Sequence, residues 1–175
     1  IVWVSLGGCI HFTCEGYPVD DFCDRLQAFS DSFAVQVYLE PGEAAITETT
    51  TLEVTVLDTL FNGKHLAVVD SSIEAHMPDL LIYRQDARME ACSGPHTSMV
   101  CGNSCLGGGI IGEFQFDQEL QIWDRLSFKD AAVYTMVKKN WFNGVKMPAI
   151  AMRHLDGSIE QVKEFTFDDF VQNLS

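Results

Sequence analysis

The side chains of this sequence that could do chemistry fall in a few short motifs. Glu40 opens Glu40-Pro41-Gly42, a rigid turn that would deliver a carboxylate to the end of a strand. An acid held in that way can pair with a protonated ring nitrogen; an exposed loop acid is the other reading of the same position. Gly7-Gly8 follows the apolar opening Ile1-Val-Trp-Val-Ser5-Leu6. Backbone N–H groups of such a turn can cradle a phosphate, although any tight strand-to-loop turn also uses glycine. His76 and Asp79 lie in His76-Met-Pro-Asp79, behind an apolar run and with no local partner evident for either. Taken alone, His76 reads as a satisfied structural histidine. Cys105 precedes Leu106-Gly-Gly-Gly109, where a thiol beside permissive backbone could donate or accept a proton. Most cysteines simply pack. Tyr134, within residues 132–136, reads as a strand aromatic whose spacing marks no function.

The six cysteines stand at positions 9, 14, 23, 92, 101 and 105, in two clusters of a chain rich in core residues. A disulfide scaffold is not needed in such a chain. Cys92-x3-His96-x4-Cys101-x3-Cys105 offers thiolate and imidazole, the ligand types of a zinc site. It lacks the tight Cys-x2-Cys turn of zinc knuckles and ribbons, so the expectation is no metal and reduced thiols in a cytoplasmic protein.

Two kinds of segment must position these groups. Residues 1–6 form an apolar run that stops at the glycines, a buried strand followed by a loop. Residues 19–33 place Val19, Phe22, Cys23, Leu26, Phe29 and Phe33 at helical intervals, with Asp20 and Asp21 in the first turn. Residues 34–39 then read as a strand parallel to the first. After residue 43 the texture becomes β: strands are expected within 44–58, 66–70, 113–116, 121–128, 132–138 and 149–154. Asn62-Gly63 marks a tight hairpin turn. Residues 166–174 close as a short amphipathic helix. The expected division is α/β over residues 1–45 and a β domain over residues 46–175.

The chain has 175 residues, 47% of them hydrophobic and 21% charged, the balance of a folded domain. Eleven Lys and Arg face twenty-five Asp and Glu, a formal charge of −14. Such a surface repels phosphate backbones and anionic lipid, so neither nucleic acid nor a membrane is expected as a partner, whereas a polycationic small molecule suits it. No apolar stretch reaches the roughly 18 residues of a membrane span. The opening residues lack a basic leader and a cleavage site and read as a strand entered mid-domain. At this length a complete eight-stranded barrel of about 250 residues does not fit.

In order, Gly7-Gly8, Glu40-Pro-Gly-Glu-Ala44, Asp70 with His76-Met-Pro-Asp79, Cys105-Leu, Tyr134-Thr-Met and Phe142-Asn-Gly144 resemble the C-terminal half of the carboxynorspermidine (carboxyspermidine) decarboxylases. These belong to the pyridoxal 5'-phosphate-dependent ornithine, diaminopimelate and arginine decarboxylase group with the alanine-racemase-type fold. The resemblance implies α/β plus β: the last strands of an incomplete cofactor-binding (β/α)8 barrel, followed by a C-terminal β domain with a short terminal helix. It implies a homodimer with shared active sites and a carboxylated triamine substrate. By the same resemblance Gly7, Gly8, Glu40, Gly42 and Tyr134 bind the cofactor, with Glu40 on the pyridine nitrogen. Cys105 would be the proton donor in the partner subunit's site, and His76 and Asp79 would contact the substrate.

Departures from the family pattern are expected to matter. Cys9 stands where a third glycine is usual, Asn103 where a proline is usual, and Gly109 where an acid follows the cysteine, removing a charge expected near the substrate amines. The cofactor-linking lysine of the family would lie ahead of residue 1, and no lysine of this chain occupies a matching position. The expectation is that the intact protein decarboxylates while this portion alone does not. The competing readings are a diverged, non-catalytic dimerisation or regulatory module, and a zinc module over residues 92–105.

Overall fold

The computed structural model describes residues 1–8, 10–90, 93–132 and 134–174. The chain forms two compact units, Ile1–Thr50 and Thr51–Ser175.

In the first unit, β1 (Trp3–Ser5), α1 (Val19–Phe33) and β2 (Gln36–Tyr38) make one βαβ turn. The strands pair in parallel, Trp3 with Gln36, Val4 with Val37 and Ser5 with Tyr38. The ladder continues past both strands, because Leu6 N–H donates to Tyr38 O at 3.0 Å and Glu40 N–H to Gly7 O at 2.9 Å. The helix has the bounds its apolar spacing predicts, with Asp20 and Asp21 in its first turn. Ala34 terminates it in the left-handed conformation, φ 50°. Ser30 Oγ donates to Val35 O at 2.6 Å, fastening the reversal. The strand expected from residue 34 therefore starts only at Gln36. A 3-10 turn, Ala44–Ile46, replaces the start of the strand expected within 44–58.

The second unit is built on a five-stranded sheet. Its members are β3 (Leu52–Phe61), β4 (His65–Val69), β5 (His96–Cys101), β6 (Ile110–Phe116) and β7 (Arg125–Phe128), in the order β6-β5-β4-β3-β7. β3 alternates as a half-buried strand should, with Leu52, Val54 and Val56 inward. Asn62-Gly63 turns β3 into β4, with Gly63 at φ +71° as the tight turn requires. β4 and β5 are parallel, and parallel neighbours need a crossover. Two short helices supply it, α2 (Ile73–His76) and α3 (Pro78–Tyr83). Pro78 sits at the start of α3, where its missing N–H costs nothing. Val56, Val69, Val100 and Ile111 are fully enclosed around the sheet; burying each contributes about 2 kcal/mol.

His96 and Cys101, weighed with Cys92 and Cys105 as zinc ligands, lie on an interior strand of the sheet. Two expectations need correction here. Of residues 121–128 only Arg125–Phe128 extend, because Trp123 adopts φ 78°. Residues 132–138, expected as a strand, contain the helix α4 (Tyr134–Lys138). Its register sets Lys138 one turn beyond Tyr134, so that Nζ lies 4.4 Å from the ring centroid, an i,i+4 contact that a strand would forbid. The chain ends with the hairpin β8 (Ile150–Arg153) and β9 (Ile159–Lys163), then α5 (Phe167–Gln172). Thr166 and Asp169 cap α5 reciprocally in a capping box.

Candidate functional site

In the first unit, the parallel pairing brings Glu40 and the Gly7-Gly8 turn to the same end of the strands. Ser5 Oγ donates to Glu40 Oε1 at 2.6 Å, and Gly7 N–H donates back to Ser5 Oγ at 3.2 Å. Glu40 N–H holds Gly7 O, and Gly42 N–H donates to Glu40 O at 2.9 Å. Gly7 adopts φ +72°, the left-handed region that favours glycine. At Gly8 a Cβ would run into the carbonyl of Glu40, so only glycine permits this approach. The Glu40 carboxylate is exposed and fixed on one oxygen, which leaves the other for a cationic partner. Ser5 escaped the sequence reading; its place as the last residue of the strand that precedes the glycines was the available signal. Cys9 lies outside the described residues.

In the second unit, the remaining candidates gather on the crossover helices and the loops beside them. His76 is 2% exposed, and its Nδ1 is 2.9 Å from Ser71 Oγ, a local partner the sequence did not suggest. Burial lowers its pKa to about 4, outweighing the charge of Asp70, which acts upward, while Lys139 adds to the fall. The ring is neutral at pH 7. Asp79 accepts from Lys138 Nζ at 2.7 Å. That hydrogen bond raises the Lys138 pKa, and the same ammonium covers the Tyr134 ring. Asp79 and Tyr134, far apart in sequence, are thus joined through Lys138, which no motif singled out.

Cys105 is exposed, and its Sγ accepts from Asn143 Nδ2 at 2.9 Å. Asn143 holds φ 59°, a conformation asparagine tolerates. The two segments that meet at the thiol both rest on the crossover: Asn103 N–H donates to Ser71 O at 3.0 Å, and Asn140 N–H to Ala75 O at 2.8 Å. His96 and Cys101 terminate β5 at opposite ends, about 16 Å apart at the strand's rise, so they cannot share an ion. Cys92 lies outside the described residues, and among those described no cluster of His, Cys, Asp and Glu could hold a metal.

No protein-family model matches the chain. It is 61% identical, over 99% of its length, to the carboxynorspermidine/carboxyspermidine decarboxylase of Herminiimonas arsenicoxydans, of which it spans 47%. It is 36% identical, again over 99% of its length, to the carboxyaminopropylagmatine decarboxylase of Synechocystis, of which it spans 46%. The crystal structure of Campylobacter jejuni carboxynorspermidine decarboxylase complexed with norspermidine matches with a TM-score of 0.87 at 34% identity. That match covers 99% of this chain and 51% of the other. A diaminopimelate decarboxylase from M. jannaschii matches with a TM-score of 0.80 at 17% identity, over 98% of this chain and 42% of its own, a likeness of fold alone. The chain spans about half the length of the curated relatives it matches. On sequence and fold together, it belongs to the carboxynorspermidine/carboxyspermidine decarboxylase family.

Proposed function

We propose that the full-length protein is a pyridoxal 5'-phosphate-dependent decarboxylase. It converts carboxynorspermidine or carboxyspermidine to norspermidine or spermidine and CO2 in polyamine biosynthesis. The observation that carries this reading is the joint fixation of Glu40 and the Gly7-Gly8 turn at one end of a parallel strand pair. The donor set suits the cofactor: a glycine turn for a phosphate, and an anchored carboxylate for a protonated ring nitrogen. In this reading residues 1–45 are closing strands of a cofactor-binding barrel and residues 46–175 its β domain.

When bound, the cofactor supplies an electron sink for the pair left behind as CO2 departs. Gly7, Gly8 and Gly42 would line the phosphate with backbone that carries no side chain, and Tyr134 would contact the cofactor. Glu40, braced by Ser5, holds the proton on the ring nitrogen. Cys105 holds a proton at Sγ and delivers it to the substrate carbon in the partner subunit's site, with Asn143 orienting the sulfur. Asp79 binds an ammonium group of the triamine. His76, sealed in the core, positions the segment that carries Asp79. The protein works in the cytoplasm as a homodimer with shared sites.

The test is CO2 release from carboxynorspermidine by the full-length, cofactor-loaded protein. Glu40→Gln should lower kcat by about a hundredfold, the scale of losing one preorganised charge contact. An inert wild type, or an undiminished Glu40→Gln variant, would overturn the assignment.

A further inference from the structure

Both carboxylate oxygens of Glu74 are shielded from solvent and hydrogen-bond to nothing among the described residues. The main chain there is well held: Asn140 Nδ2 donates to Glu74 O at 2.9 Å. The side chain is the part left unsatisfied. A Cβ built on Gly109 would lie 3.6 Å from Glu74 Oε2 and 3.8 Å from Ser104 Oγ, so the carboxylate abuts the loop that presents Cys105. That loop is folded on itself, with Gly109 N–H donating to Leu106 O at 2.9 Å and Leu106 N–H to Ser104 Oγ at 3.3 Å. The lysines of the neighbouring helix are engaged elsewhere, Lys138 on Asp79 and Lys139 on Met136 O.

A carboxylate kept from water with no donor is strongly disfavoured unless a cation joins it. We infer that Glu74 is an ammonium-binding residue beside Cys105, and that its partner is an amine of the triamine. This inference rests on the decarboxylase reading above. It assigns substrate recognition to a side chain on the crossover helix that no sequence motif marked.

The experiment uses the full-length, cofactor-loaded protein, with calorimetric binding of norspermidine and steady-state kinetics on carboxynorspermidine. Glu74→Gln should weaken norspermidine binding and raise KM by about tenfold or more, the loss of one charged hydrogen-bonding partner, with a smaller change in kcat. Its Tm should match or exceed the wild type, because a neutral amide is easier to bury than an unpaired charge. Adding Gly109→Asp to Glu74→Gln should restore binding. A Cβ at Gly109 would lie 3.1 Å from Leu106 O and 3.6 Å from Glu74 Oε2, so a carboxylate grown from it reaches the space Glu74 occupied once the loop shifts by a few tenths of an ångström. Unchanged binding in Glu74→Gln would overturn the inference, as would failure of Gly109→Asp to restore it. A wild type that neither binds norspermidine nor releases CO2 would instead remove the decarboxylase reading itself.

Discussion

The thiol of Cys105 gains its character from one contact. Asn143 Nδ2 points an N–H at Sγ from 2.9 Å, and that contact holds the exposed sulfur in one orientation. We predict that Asn143→Ala slows alkylation of Cys105 near neutral pH several-fold, read by mass spectrometry of the labelled peptide so that exposed Cys14 and Cys23 do not confuse it. Faster or unchanged labelling would show that the amide does not govern the sulfur. Cys105 and Phe142-Asn-Gly144 were both visible in the sequence as motifs. Their contact was not, because a separation of 38 residues carries no spacing rule. The Lys138 bridge between Asp79 and Tyr134 was hidden for the same reason.

At the scale of the element, the α2–α3 crossover carries a titrating group inside the core. The His76 pKa falls from 6.5 to about 4 on folding, so between those values the unfolded chain binds more protons than the native one. Stability is then fully present above pH 6.5 and is lost as the pH falls toward 4, by about 3 kcal/mol in all. The groups that act on the ring are Asp70, upward, and Lys139, downward, and burial exceeds both. Urea unfolding at a series of pH values should show this slope, and His76→Gln should flatten it whatever its effect on absolute stability. An identical slope in the variant would assign acid lability to other groups. The helix at Val19–Phe33 could be read in full because its own apolar period defines it. The helix at Tyr134–Lys138 could not: its residues favour a strand, and packing beside α2 and α3 overrides that preference.

At the scale of the molecule, the first unit leaves large apolar residues of its opening strand and its helix exposed. β1 and β2 form a two-stranded sheet, so each leaves one edge unpaired. Ile1, Val2 and Trp3 are 103%, 77% and 57% exposed, and no residue of α1 is buried. Open apolar edges pair with other chains. The 175-residue chain expressed alone should therefore associate, and light scattering that reports a monodisperse monomer would contradict this.

What the sequence determined by itself is local or ordered along the chain: the α1 period, the Asn62-Gly63 turn, the β texture after residue 43, and the succession of motifs that marks the family. Each follows from the side chains of a few neighbouring residues, or from their order, with no knowledge of what packs on what. The tertiary structure alone decided which distant groups meet. Parallel pairing set Glu40 beside the Gly7 turn, the β4-to-β5 crossover enclosed His76, and loop packing left Glu74 dry beneath Gly109. Those outcomes depend on burial and long-range hydrogen bonds, whose energies exist only once the sheet has formed.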